Sequence, residues 1–244
     1  MAQIALLGYG RMGKLIERIA KERGHICGPI AYQGNPVNDK ELATADVAIE
    51  FSAPDAAEEF CRKAIGLGIP TVSGTTGWDP QALQQKVGVS GTGFLHATNM
   101  SLGVNAVFAA NRLLAKLLGN QGYQITIQET HHIHKLDKPS GTAVTLAEEI
   151  LEQTDAYSRW ELLSESPSTP SMEVLPVRSQ RVGEVFGDHT VQLSSKVDQI
   201  ELTHHAKSRE GFGLGAVLAA EYMVGKRGIH TMGDVLNLSK RAEL

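Results

Sequence analysis

The sequence predicts an α/β protein whose front half is a doubly wound parallel sheet, followed by a second α+β domain built on a mixed sheet. Three observations carry that prediction. Short apolar runs alternate with helical patterns up to residue 98, the rhythm changes after Asn99, and the residues behind it hold a strictly alternating run followed by further strand candidates. Strand, helix, strand in repetition implies parallel strands with helices on both faces, whereas alternation implies strands buried on one face only.

The elements follow in order. Strand candidates IALLG (4–8), ICGPIAY (26–32), DVAIEFS (46–52), PTVSG (70–74) and FLHAT (94–98) frame helical patterns at 15–24 and 56–68. VNAVFAANRLLAKLLG (104–119) has apolar residues at helical spacing, YQITIQET (123–130) alternates, and GTAVTLAEEILEQ (141–153) is again helical. A polar loop is expected at 164–171, then strands at 173–180, 189–195 and 198–206, an apolar helix at 215–224 and a short helix within 232–238. The expected domains are 1–102 with 215–244, a dinucleotide-binding domain, and 103–214, a substrate-binding and oligomerisation domain.

Composition narrows the function classes. Of 244 residues, 42% are hydrophobic and 20% charged, with a net charge of -4, so nothing general favours nucleic acid or an anionic membrane as partner. Two cysteines, Cys27 and Cys61, suit packed free thiols better than a disulfide framework. With no apolar run near the ~20 residues of a membrane span, and with a first strand starting at Gln3 that leaves no room for a leader, a cytoplasmic protein is expected.

GYGRMG places Gly8, Gly10 and Gly13 after a strand and at the head of a helix, the context in which G-x-G-x-x-G signals a Rossmann-type dinucleotide site. Gly8 would permit the tight turn, Gly10 the approach of a pyrophosphate and Gly13 helix-on-strand packing, with helix N–H groups turned to the phosphates. Tyr9, Arg11 and Met12 complete the turn, and Arg11 adds a charge. The second strand ends without an acid before Asp39 to hold a ribose hydroxyl pair, so NADPH is expected over NADH. Tyr32 reads either as an adenine stack or as an ordinary strand-end aromatic. Phe51 and Ser52 (FSAP), and Gly74, Thr75 and Thr76 (SGTTG), close two later strands at the ends where open sheets bind ligands. ATNMSLG (97–103) falls where the architecture changes, a natural hinge.

ETHHIHKLDKPSGTA (129–143) crowds three histidines, two lysines and two acids into one stretch. Continued as a strand, it puts Glu129, His131, Ile133 and Lys135 on one face and Thr130, His132 and His134 on the other. His132 and His134 supply only two metal ligands, too few at zinc-like spacing, so no metal is expected; His134 reads as packed or solvated. Ser140 is a plausible N-cap, and Gly141 and Thr142 open a helix whose first N–H groups suit a carboxylate. An imidazole, an ammonium and an anion turn thus share one loop.

This stretch resembles the E-x-H-H-x-x-K-x-D-x-P-S-G-T-A signature of the 4-hydroxy-tetrahydrodipicolinate (dihydrodipicolinate) reductases. GYGRMG, SGTTG, TNMSLGVN, GEVFGDHTV and HAKSREGFGLGA also match segments of that family. The chain departs at the missing acid, at Thr98 where the family usually has Ala, and in a short tract between residues 32 and 46, all bearing on coenzyme preference. The resemblance implies reduction of a cyclic unsaturated dicarboxylate by NADPH or NADH in lysine biosynthesis. His131 would be the proton donor/acceptor and Lys135 a second donor, while His132, Ser140, Gly141 and Thr142 hold substrate carboxylates. Gly74, Thr75 and Thr76 with Thr98, Asn99, Met100 and Ser101 would meet the nicotinamide end. The resemblance further implies domain closure about hinges near residues 99–103 and 213–215, and a homotetramer built through the second domain's sheet. The alternating strands 173–206 offer an apolar face to that tetramer, or equally to an intramolecular core. Rival readings are another nicotinamide dehydrogenase of an amino acid or semialdehyde, a non-catalytic nucleotide sensor and a His-dependent metallohydrolase.

Overall fold

The computed structural model describes residues 1–163 and 171–238. The expected polar loop at 164–171 therefore lies, apart from Ser171, outside the described residues. In chain order the elements are β1 Gln3–Leu7, α1 Arg11–Glu22, β2 Ile26–Ala31, α2 Asp39–Leu42, β3 Val47–Glu50, α3 Pro54–Gly66 and β4 Thr71–Ser73. A 3-10 turn Pro80–Leu83, α4 Gln84–Ser90, β5 Gly93–His96, α5 Leu102–Leu118, β6 Gln124–His131 and α6 Gly141–Gln153 follow. β7 Arg159–Leu162, β8 Val174–Arg181, β9 Asp188–Ser194, β10 Gln199–His205, α7 Glu210–Met223, β11 Gly228–His230 and α8 Met232–Val235 complete the set.

The chain forms two compact units, Met1–Leu102 with the chain from Glu210 onward, and Gly103–Arg209. Re-entry comes at Glu210, ahead of the expected 215, where the apolar tail helix begins: α7 buries Gly213 and Gly215 as well as Ala216, Val217, Ala219, Ala220 and Met223.

In the first unit a six-stranded sheet runs in the order β11-β5-β4-β3-β1-β2, every pairing parallel. Parallel strands covered on both faces are apolar throughout, and β1 shows why. Ile4 and Leu6 join Ile16 of α1 and Val217 and Ala220 of α7 on one side, while Ala5 and Leu7 join Leu42 and Ala64 of α2 and α3 on the other. Each of these large side chains, buried from water, contributes ~1.5–3 kcal/mol. Strand order reverses between β1 and β3, the place where doubly wound sheets hold ligands.

The second unit is a mixed sheet in the order β10-β9-β6-β8-β7. β9 runs antiparallel to β10 and β6, whereas β8 runs parallel to β6 and β7. In β6 the burial alternates strictly, Ile125, Ile127, Glu129 and His131 inward. Ile125, Ile127, Leu175, Val177, Val191 and Leu193 pack with Phe108 of α5 and Leu146 and Ile150 of α6. The apolar face that the sequence offered to either use is thus taken by the unit's own core. Its other face carries partly exposed polar residues such as Gln128, Thr190 and Gln192. The cysteines are free, Cys61 buried and Cys27 half-buried. No helix among the described residues is long and apolar enough to cross a membrane.

Candidate active site

The glycine turn of the first unit has the geometry its spacing requires. Gly8 has φ +98°, and a Cβ there would lie 2.2 Å from the Phe51 carbonyl oxygen. A Cβ on Gly13 would lie 2.4 Å from the Gly8 oxygen, so helix and turn touch backbone to backbone. Gly10 is different: a Cβ would meet nothing within 4 Å, and as N-cap of α1 it gives no side-chain cap, with no acid in the first turn. The helix dipole and its N–H groups are left for an external anion, so the residues fit a coenzyme pyrophosphate. Arg11 is exposed at this end, and Met12 packs against the core.

Tyr32 is 42% exposed and stacks on Tyr9 at 5.8 Å between ring centroids. The Tyr9 hydroxyl donates to Glu17, and Lys21 donates to the same carboxylate, holding it below the usual carboxylate range. Phe51 N–H donates to the Leu7 oxygen at 2.8 Å and its ring covers Gly74, whose Cβ would fall 2.1 Å from it. Ser52 and Thr75 are tied to Glu50, a fully buried carboxylate that sequence reasoning missed. Its Oε1 accepts from Ser52 N–H at 2.7 Å, Ser52 Oγ at 2.6 Å and Thr75 Oγ1 at 2.7 Å, and its Oε2 accepts from Ser73 Oγ at 2.6 Å. One carboxylate thus ties the two turns, leaving Thr76 exposed beside them. Beyond β5, Thr98 is exposed, and the Asn99 side chain accepts from Ser101 N–H at 2.8 Å. Met100 is 2% exposed within the core, its carbonyl oxygen packed so closely on α7 that a Cβ on Gly215 would lie 1.7 Å from it, so it is structural rather than the coenzyme contact expected from the sequence.

In the second unit the strand pattern predicted for residues 129–135 stops at His131. Residues 133 and 134 turn, with Lys135 N–H donating to the His132 oxygen, so Ile133 is 60% exposed and Lys135 leaves the inward face. Lys135 Nζ lies 2.8 Å from both oxygens of Asp137. That largely exposed pair is worth only ~0–1 kcal/mol, so the ammonium is held weakly. His134 is solvated beside Glu184. The His132 ring is half-buried, and its Nδ1 has no partner; burial, then the Arg209 charge, pushes its pKa down. Ser140 caps α6 as expected, its Oγ accepting from Ala143 N–H at 3.2 Å, with Gly141 and Thr142 opening the helix.

Beneath this loop lies a polar group in an apolar setting. Glu129 is 0% exposed, His131 7%, His189 4% and Ser179 5%. Glu129 Oε1 accepts from Ser140 N–H at 3.0 Å, from Ser179 Oγ and from Arg181 Nη1 at 3.3 Å, while Oε2 lies 3.1 Å from His131 Nδ1. Burial pushes the Glu129 pKa up, but hydrogen bonds from His131, Ser140 and Ser179 outweigh it and hold the group well below the usual carboxylate range. Burial, then the His131 charge, pushes His189 down to about 3, so it is neutral, with Nε2 3.1 Å from Ser140 Oγ. Arg181 also donates to the Lys135 and Asp137 backbone oxygens, fastening the loop to β8. Ser179, Arg181 and His189 went unassigned in the sequence, although Ser179 and Arg181 stand at period two from buried Val177 and His189 lies in the GDHTV match.

Glu129, His131 and His189 bring ligand-type atoms within 4.8 Å of one another, a grouping other than the His132/His134 pair. Arg181 and two neutral donors on the same carboxylate oppose a cation there, and the arrangement suits proton handling instead.

Comparison with known proteins agrees with the sequence resemblance. The family description "Dihydrodipicolinate reductase, N-terminus" matches residues 2–100 and "Dihydrodipicolinate reductase, C-terminus" matches residues 103–236. The chain belongs to the dihydrodipicolinate reductase family. These are NAD(P)H-dependent oxidoreductases of lysine and diaminopimelate biosynthesis. The 4-hydroxy-tetrahydrodipicolinate reductase of Christiangramia forsetii is 45% identical, covering 96% of this chain and 97% of that one. The enzyme of the same name from Akkermansia muciniphila is 37% identical, covering 98% and 100%. Among solved structures, a dipicolinate-bound dihydrodipicolinate reductase from Paenisporosarcina sp. TG-14 superposes with a TM-score of 0.76 at 20% identity, covering 95% and 97%. An amine dehydrogenase from Mycobacterium smegmatis shares the fold more loosely, with a TM-score of 0.60 at 12% identity over 95% of each chain. Family membership sets aside the sensor, metallohydrolase and other-dehydrogenase readings.

Proposed function

We propose that this chain reduces 4-hydroxy-tetrahydrodipicolinate to tetrahydrodipicolinate, with His131 as proton donor/acceptor and Lys135 as a second donor. The observation that supports the residue assignment is the combination of His131, a buried Glu129 held well below the usual carboxylate range and the Ser140-capped start of α6 at one loop. NAD(P)H supplies the hydride. The protein's part is to hold the two ring carboxylates with His132, Lys135, Ser140 and the first N–H groups of α6, at Gly141 and Thr142, and to deliver a proton to the carbon next to the one reduced. Water leaves from the hydroxyl-bearing carbon. The Paenisporosarcina relative's bound dipicolinate, also a ring dicarboxylate, supports this substrate class.

The coenzyme is assigned to Gly8, Tyr9, Gly10, Arg11, Met12, Gly13, Tyr32, Phe51, Ser52, Gly74, Thr75 and Thr76, with Thr98, Asn99 and Ser101 at the nicotinamide end. NADPH is preferred, since the second strand ends without a carboxylate to repel a 2′-phosphate and Arg11 is exposed nearby. A cytoplasmic homotetramer is proposed from the family, joined through the polar outer face of the second unit's sheet, since its inner face is occupied. The test is loss of coenzyme absorbance on adding enzymatically generated substrate, with NADPH and NADH compared. Wild type turns over with a preference for NADPH, and His131→Ala and Lys135→Ala each lose ~100-fold or more in kcat. Full activity in both variants would overturn the residue assignment.

A further inference from the structure

We propose that Glu129 is a positioning residue for this reaction: it keeps a hydrogen on His131 Nδ1, so that Nε2 is the nitrogen that gives and takes the proton. The inference rests on the reading of His131 as the proton-transfer residue and adds how that residue is set.

The two oxygens of Glu129 have separate work. Oε1 receives Ser140 N–H at the head of α6 and Ser179 Oγ and Arg181 Nη1 from β8, so the carboxylate cannot rotate without stranding them. Oε2 is left facing His131 Nδ1 at 3.1 Å, a charge contact out of line for a hydrogen bond as placed, and neither buried atom has any other group to turn to. An ionised carboxylate only accepts. Nδ1 must therefore carry the hydrogen, which frees the Nε2 lone pair, just as an outer partner fixes the tautomer of a working histidine elsewhere. Space agrees with this assignment. Nε2 looks toward Gly187, where a Cβ would stand 2.9 Å away, so the missing side chain keeps that nitrogen clear.

The other charged and titratable groups around the ring do not compete for Nδ1. On β9, His189 meets the ring edge-on at 5.1 Å, is held neutral by burial and bonds Ser140 through Nε2, with Oε2 only at 3.7 Å. On β8, Arg181 is spent on Oε1 and on backbone oxygens. In the turn, Lys135 is paired with Asp137. On β10, His204 acts on His189, and on β9 Asp188 pairs with His205.

The test is nitrogen-15 NMR of histidine-labelled protein, the His131 ring signals being identified by their loss in His131→Asn. Wild type shows the Nδ1–H pattern. In Glu129→Gln the amide oxygen must still serve the three donors at Oε1, which turns the amide NH2 toward Nδ1 and inverts the tautomer to Nε2–H. The same variant loses ~100-fold or more in kcat with the coenzyme dissociation constant unchanged, and Glu129→Asp recovers the wild-type tautomer. A wild-type Nε2–H pattern, or a pattern unmoved in Glu129→Gln, overturns the inference. Should Glu129→Gln not fold, the wild-type pattern alone decides. Absence of reductase activity in wild type would sink the functional reading and leave the tautomer result standing, so the two failures are separable.

Discussion

Gly187 shows how little separates a working imidazole from a blocked one. Its φ of +153° suits glycine, and a Cβ would press on His131 Nε2 at 2.9 Å. Gly187→Ala should therefore lower kcat ~10-fold or more, with unfolding free energy down by only ~1–3 kcal/mol from backbone strain. Steady-state rates beside a denaturant titration check this, and unchanged kcat would mean that Nε2 is not the reacting nitrogen. Residues of this kind divide by legibility. The crowding of His131, Lys135 and Ser140 was plain in the sequence, because reactive types in one loop stand out. Glu129's partners were not, since Ser179, Arg181 and His189 come from β8 and β9 and reach it only through cross-strand register. Glu50 was hidden for the same reason: it looks like a strand-end acid until Ser52, Ser73 and Thr75 gather on it.

Among elements, the strongly periodic segments were legible. The helix expected at 141–153 forms as Gly141–Gln153 with its Ser140 cap, because cap chemistry and apolar spacing agree. The short ones were not. β11 has three residues and β7 four, both on sheet edges and mostly exposed, so neither shows a periodicity that marks a strand. The 3-10 turn and α4 begin at Asp79-Pro80, a capped start followed by too few apolar residues to stand out. The buried polar ladder of β6 and β9 also makes this sheet pH-sensitive. His189 titrates at about 3 in the fold against ~6.5 unfolded, so on acidification the unfolded chain binds its proton first and stability falls across that window. Glu129, whose pKa is lowered by folding, acts in the same direction below ~4.3. Urea titrations should show the unfolding midpoint dropping steadily as pH falls from ~6.5, with less of a drop in His189→Asn. A midpoint flat across that window would contradict the buried, neutral histidine.

At the scale of the whole molecule, the chain builds most of one unit, completes a second, and then returns. α7 and β11 supply the first unit with Ala216, Val217, Ala219, Ala220 and Met223 of its core and with the sheet's edge strand. The alternation of strand and helix announced the parallel sheet, but the return point was set by where α7 could bury its glycines. Division of labour follows the same line: the glycine turn and the Glu50-tied turns lie in the first unit, the histidine and lysine loop in the second. The central claim is that hydride passes from coenzyme to the bound ring while this loop supplies the proton. The most direct measurement is mass spectrometry of the product formed with coenzyme deuterated at the transferring position of nicotinamide C4. One deuterium in tetrahydrodipicolinate, lost together with turnover in His131→Ala, is the predicted result; product without deuterium, or no product from the wild-type protein, would contradict it.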